Sequence, residues 1–122
     1  VVAGLENIDE LAALQIWDGV VARVVSGKQA AFAVVELGPN VQVPEHRHAN
    51  EQLGLVITGT VRFRIGDETR ELSPGGTWSI PGDVPHEVYA GAEGAVVVDI
   101  FAPPRADWAE LPPAADAPPA WP

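Results

Sequence analysis

The 122-residue chain contains no cysteine and no methionine. Without cysteine there is no disulfide framework, no thiolate metal ligand and no thiol nucleophile. Positive charge is also scarce: 7 basic residues stand against 17 acidic ones, for a net charge of −10. Such a field repels a phosphate backbone, which sets nucleic acid aside as a partner. It equally disfavours long-range capture of a small anion. An anionic substrate therefore has to be held by local positive charge, either a metal ion or an arginine. Long apolar runs are missing as well. None approaches the roughly 20 residues of a bilayer span, so no membrane partner is expected and a cytoplasmic protein is.

What remains is a chain of ordinary globular composition, 47% hydrophobic and 20% charged, of a size to form one domain. LENIDELAAL, residues 5–14, suits a short helical turn capped by Asn7 or Asp9, with Leu11 and Leu14 on one side. The rest reads as β. LQIW and VVARVV around Asp18-Gly19 make a hairpin. QAAFAVVEL, QLGLVIT, TVRFRI, ETREL, TWSI, HEVYA and AVVVDIF follow, separated by Gly-, Pro- or Asp-containing turns such as Gly59, SPGG, PGDVP and GAEG. Short strands at this spacing predict an all-β sandwich or small barrel. From Pro103 the composition shifts to seven prolines in twenty residues, which cannot continue a sheet. Residues 1–105 are thus expected to form the barrel with an N-terminal extension. Residues 106–122 are expected to form a Pro/Ala-rich tail whose start packs back through Trp108 and Leu111.

The three histidines concentrate the chemistry. His46 and His48, at i and i+2 of an extended segment, point to one face and can meet one cation. His86 follows a loop bracketed by Pro81 and Pro85, which fixes where its ring arrives. Neutral imidazole is the commonest ligand of late first-row metals. Further on, Ala95, Val97, Asp99 and Phe101 share one strand face. A carboxylate in a strand apolar on both sides is costly unless paired or functional. Asp99 is therefore either an acid/base group or a structural residue satisfied by backbone donors or Arg105; the residues alone leave both open.

HRHANEQLGLVITG, residues 46–59, resembles the first motif of the cupin superfamily, and GGTWSIPGDVPH, residues 75–86, resembles the second. The resemblance implies a single small cupin barrel, a double-stranded β-helix or jelly roll, with a metal inside one end. Three positions depart from the motifs. Asn40 and Asp83 stand where glycines are expected, and Ala90 replaces an asparagine. A fourth departure falls on the metal site, where Gln52 occupies the place of the acid. Its neighbour Glu51 lies on the opposite strand face.

With Asp99, Phe101 and Arg105 spaced as D-x-F-x-x-x-R, the chain is similar to the KdgF family of pectin and alginate catabolism. That resemblance implies a metal-dependent enzyme linearising 4,5-unsaturated uronates to 4-deoxy-5-keto uronates. It implies His46, His48, Gln52 and His86 as ligands of one divalent transition metal (Ni, Zn, Mn or Fe), and Asp99, Phe101 and Arg105 as the residues of turnover. It also implies a homodimer, to which the LQIW strand could contribute, and a small anionic sugar acid as substrate. Three imidazoles and an amide leave a divalent ion its full +2 charge, which favours an anionic ligand. The alternatives are a cupin dioxygenase, a sugar isomerase and a non-catalytic ligand-binding module.

Overall fold

A computed structural model describes residues 3–114 and 119–122, so part of the expected tail, residues 115–118, lies outside the described residues. Eight strands form in chain order: β1 (Leu14–Trp17), β2 (Val20–Ser26), β3 (Ala31–Leu37), β4 (Gln42–His46), β5 (Glu51–Ile65), β6 (Glu68–Leu72), β7 (Thr77–Ile80) and β8 (His86–Ala102). The all-β expectation holds. The N-terminal helix is reduced to one 3-10 turn, Ile8–Glu10. Asn7 precedes it without a side-chain capping bond, and Leu14 is drawn into β1.

All strand pairs are antiparallel, and two long strands organise them. β5 pairs with β8 along almost their whole length, from Glu51↔Ala102 to Ile65↔His86. Their outer halves recruit different neighbours. The half of β8 near Asp99 pairs with β3, which continues to β2 and β1, while the matching half of β5 pairs with β7. The half of β8 near His86 pairs with β4, and the far half of β5 with β6. The sequence predicts turns at Gly59 and at GAEG. Instead both strands run through these points and bend together. Gly59 (φ 78°) and Gly94 (φ 75°) adopt left-handed backbone, and a Cβ on Gly59 would collide with the Gly94 carbonyl. Paired glycines here bend two strands in register rather than reversing them, and so fold one sheet into a two-faced barrel.

Val20, Ala22, Ala33, Val35, Val56, Val61, Ile80 and Val97 fill the interior from both halves. Fully burying an aliphatic side chain of this size contributes about 1.5–3 kcal/mol. The apolar packing stops short of one end of the barrel, where buried polar groups gather. Of the buried polar residues, Gln52, His86 and Asp99 lie there.

The two motif glycines replaced by Asn40 and Asp83 find their explanation in the backbone. Both positions are left-handed, with φ of 58° and 64°. Asn and Asp are the non-glycine residues that tolerate this region best. The Asp83 amide donates to the His48 carbonyl at 2.7 Å, fastening the loop before β8 to the loop after β4.

Candidate metal centre

His46 is the last residue of β4 and lies directly across from His86, the first residue of β8. His48 falls two residues past the end of β4, so the expected strand alternation does not place it. The loop carries it back to the same point. Ring centroids are 4.3 Å apart for His46–His86, 5.0 Å for His48–His86 and 6.0 Å for His46–His48. One ring nitrogen from each lies within 4.8 Å of the others.

The tautomers follow from the backbone. Each Nδ1 faces a carbonyl oxygen: Pro44 at 2.8 Å for His46, Asn50 at 3.0 Å for His48, and Val84 at 2.9 Å for His86. A carbonyl only accepts, so each Nδ1 carries the proton and each Nε2 presents a lone pair. Such a backbone bond is the usual device that orients a metal-ligating imidazole. His86 Nε2 is buried and has no hydrogen-bond partner among the described residues. Burial holds the His86 pKa down to about 4, with nearby positive charge adding to the effect, while the bond to Val84 opposes it. His48 is lowered as well, first by burial and then by the charge of Arg105.

Gln52, near the start of β5, completes the set. Its Nε2 donates to Asp99 Oδ1 at 2.9 Å, which turns its Oε1 toward His48 Nε2 at 3.0 Å. With Nδ1 of His48 protonated, that contact joins two acceptors. A cation between the lone pairs resolves the conflict, and an orphaned buried Nε2 on His86 asks for the same partner. Three imidazoles and an amide oxygen suit a divalent transition ion, and the residues present fit one.

Asp99 sits behind Gln52 and is 8% exposed. The expected backbone or Arg105 partners are not what satisfies it. Oδ1 accepts from Gln52 and also from Trp78 Nε1 at 2.8 Å. Burial raises its pKa to about 6, against the pull of the two hydrogen bonds and the charge of Arg105. Arg105 itself pairs with Asp107 through Nε at 2.9 Å and Nη2 at 2.7 Å, which holds the Asp107 carboxyl below its usual range. Its guanidinium carbon lies 5.3 Å from the Phe101 ring centroid and 4.9 Å from that of Trp108. Among the described residues its Nη1 donors have no acceptor, which leaves them for a ligand. Phe101 is cross-strand from Gln52 and meets His48 edge-on at 5.8 Å.

One pocket is lined by His46, Gln52, His86, Asp99, Phe101 and Arg105 together, with aliphatic side chains below them. His48 joins them through its ring contacts. The seven residues singled out in the sequence are thus brought together. Three contributors were not singled out for the site. Trp78 donates to Asp99, Asp107 holds Arg105, and Asn50 bonds the carbonyls of Pro103 (2.6 Å) and Pro104 (3.3 Å), tethering the segment that leads to Arg105. A glycine inside a strand, Gly54, was the available signal for Trp78.

Fold and site define a small antiparallel β-barrel whose one end carries a histidine-rich centre able to take a cation. The cupin domain pattern matches residues 33–101, and the chain belongs to that family. It is 26% identical over 102 residues to the pectin degradation protein KdgF of Dickeya dadantii, covering 82% of this chain and 93% of that one. It is 32% identical over 76 residues to the dimethylsulfoniopropionate lyase DddW of Ruegeria pomeroyi, covering 58% of this chain. The chain spans about half the length of that lyase, 50%. Among solved structures, KdgF from a Halomonas species superposes with a TM-score of 0.80 at 22% identity, over 87% of this chain and 98% of that one. Within the described residues no helix is long and apolar enough to cross a membrane.

Proposed function

We propose that this cupin opens the ring of 4,5-unsaturated uronate monosaccharides, giving open-chain 4-deoxy-5-keto uronates. The observation that carries the reading is the position of Asp99: a buried carboxylate bonded to the amide that faces the histidines, in the pocket that also holds Phe101 and Arg105. The similarity to pectin degradation protein KdgF supports it. A homodimer acting on a small anionic sugar acid belongs to the same proposal.

The reaction is a net isomerisation. The C1 hydroxyl loses a proton, the bond between C1 and the ring oxygen breaks, C5 becomes a ketone, and C4 gains a proton. No co-reactant is needed, so one group that takes a proton at C1 and returns one at C4 suffices. Asp99, with a pKa raised to about 6, is poised to exchange protons near neutrality. Arg105 offers its Nη1 donors to the substrate carboxylate, while its bonds to Asp107 keep the guanidinium in place. Phe101 gives an apolar wall for the flat part of the ring. A divalent ion on His46, His48, Gln52 and His86 would stabilise negative charge as it develops on oxygen.

The test is direct. An unsaturated uronate is supplied to the metal-loaded protein and the open-chain product is followed by proton NMR. Wild type should linearise it well above the uncatalysed rate, and Asp99→Ala should lose at least about a hundredfold. Equal rates in the two would sink the assignment.

The 32% identity to a dimethylsulfoniopropionate lyase favours a second reading, elimination from a small carboxylate with Asp99 as the base. Dimethylsulfoniopropionate offered in a parallel tube, its consumption read by the same NMR method, decides between them.

A further inference from the structure

We propose that Trp78 is a positioning residue that fixes which oxygen of Asp99 meets the substrate. The inference rests on the proton-transfer role of Asp99 given above. Trp78 on β7, Gly54 on β5 and Asp99 on β8 form one cross-strand row, with Trp78↔Gly54 and Gly54↔Asp99 as direct partners. The indole crosses the middle strand over Gly54 to reach the carboxylate of the far strand. Only a residue without a side chain permits this: a Cβ at Gly54 would collide with Nε1, Cε2 and Cζ2 of the indole. The ring is 6% exposed and stacked on Phe63 at 4.7 Å, so it cannot swing away.

Indole N–H only donates. It shares Oδ1 with the Gln52 amide, the two bonds measuring 2.8 Å and 2.9 Å. Two donors on one oxygen pin the plane of the carboxylate. Oδ2 makes no hydrogen bond to any described residue, yet Asp99 lines the pocket. Oδ2 is therefore the oxygen that exchanges the proton. Oδ1 serves as the anchor, held by Trp78 on one side and by the amide on the other. Structural packing alone would explain a large ring at position 78, but not an N–H placed over a glycine and aimed at the carboxylate.

Trp78→Phe keeps an aromatic stack on Phe63 and removes the donor. A variant carrying 3-benzothienylalanine at position 78 replaces the N–H by sulfur in a ring of nearly the same shape. Both are assayed as metal-loaded full-length protein with the unsaturated uronate. Each should lower kcat by about ten- to hundredfold, the loss expected for a hydrogen bond to a charged group. KM and bound metal should stay within twofold of wild type. In an Asp99→Asn background the same replacements should cause no further loss, because the oriented carboxylate is already gone. Wild-type kcat in the benzothienyl variant would overturn the proposal, as would an undiminished effect in the Asp99→Asn background. If wild type itself leaves the uronate unchanged, the parent reading fails instead, and the two failures are told apart by that control.

Discussion

Gln52→Glu isolates the reason for an amide at the metal centre. The substitution exchanges one NH2 for one oxygen, and the NH2 removed is the group that donates to Asp99 Oδ1 at 2.9 Å. Two carboxylates at that separation repel by about 6 kcal/mol at an effective dielectric of about 20. That is roughly four pK units, more than enough for the pair to take up a proton at neutral pH. Position 52 and Asp99 would then share one proton, and Asp99 would no longer be free to accept another. Metal binding should survive, because three imidazoles and a carboxylate also make a good site. Turnover should not: the expected loss is at least about a hundredfold in kcat, the worth of a general base.

The assay combines metal analysis of the purified variant with product formation followed by NMR. The double variant Gln52→Glu/Asp99→Asn removes the repulsion between the two carboxylates. It should regain thermal stability relative to Gln52→Glu and remain inactive. A metal-replete Gln52→Glu protein working at the wild-type rate would refute the reasoning, since neither the lost donor nor the reduced site charge would then matter.

Two further predictions concern protons and backbone. In metal-free protein the His86 imidazole, held to about 4, contributes stability that is complete above its ordinary 6.5 and is lost as pH falls toward 4, roughly 3 kcal/mol in all. Asp99, raised to about 6 from 3.8, has the opposite slope: the folded state holds its proton more tightly, so stability falls as pH rises from about 4 to 6. The lowered His48 adds to the His86 slope, so metal-free wild type should lose stability less steeply as the pH is lowered through that window than Asp99→Asn, which lacks the opposing contribution; chemical denaturation reads both. A steep slope in wild type and none in the variant would contradict the assignment. For the backbone, Asn40→Ala and Asp83→Ala should each cost about 1 kcal/mol and the corresponding glycine variants little or nothing, because both positions are left-handed. Denaturation midpoints check it, and an alanine variant as stable as its glycine counterpart would remove the argument.

The strand content and the pocket residues were legible because they depend on local pattern. Alternation within AVVVDIF put Asp99 and Phe101 on one face, and the structure buries both while leaving Ile100 41% exposed. Histidine scarcity did the rest, since all three histidines converge. What failed was everything that depends on how distant strands are bent. Gly59 and Gly94 carry the ordinary sequence signal of a turn. Only their apposition across β5 and β8 makes them a coordinated bend, and apposition is not a local property. His48 shows the converse. The argument that placed it, strand alternation, does not operate beyond His46, yet the bond from the Asp83 amide to its carbonyl brings it to the same point by another route.

Asp99 was ambiguous in the sequence for the same reason. Its partners are one and two strands away: Gln52 lies on β5, and Trp78 on β7 reaches it only because Gly54 stands between them. Once those partners are known, the structural and functional alternatives cease to compete. A buried carboxylate with both oxygens occupied would be structural. One with two donors on Oδ1 and, among the described residues, none on Oδ2 is held firmly and still has an oxygen to spend on chemistry. The amide at position 52 then has two tasks that a carboxylate could not combine. It turns its oxygen toward the histidines without lowering the charge of an ion bound there, and it donates to the acid that sits behind it.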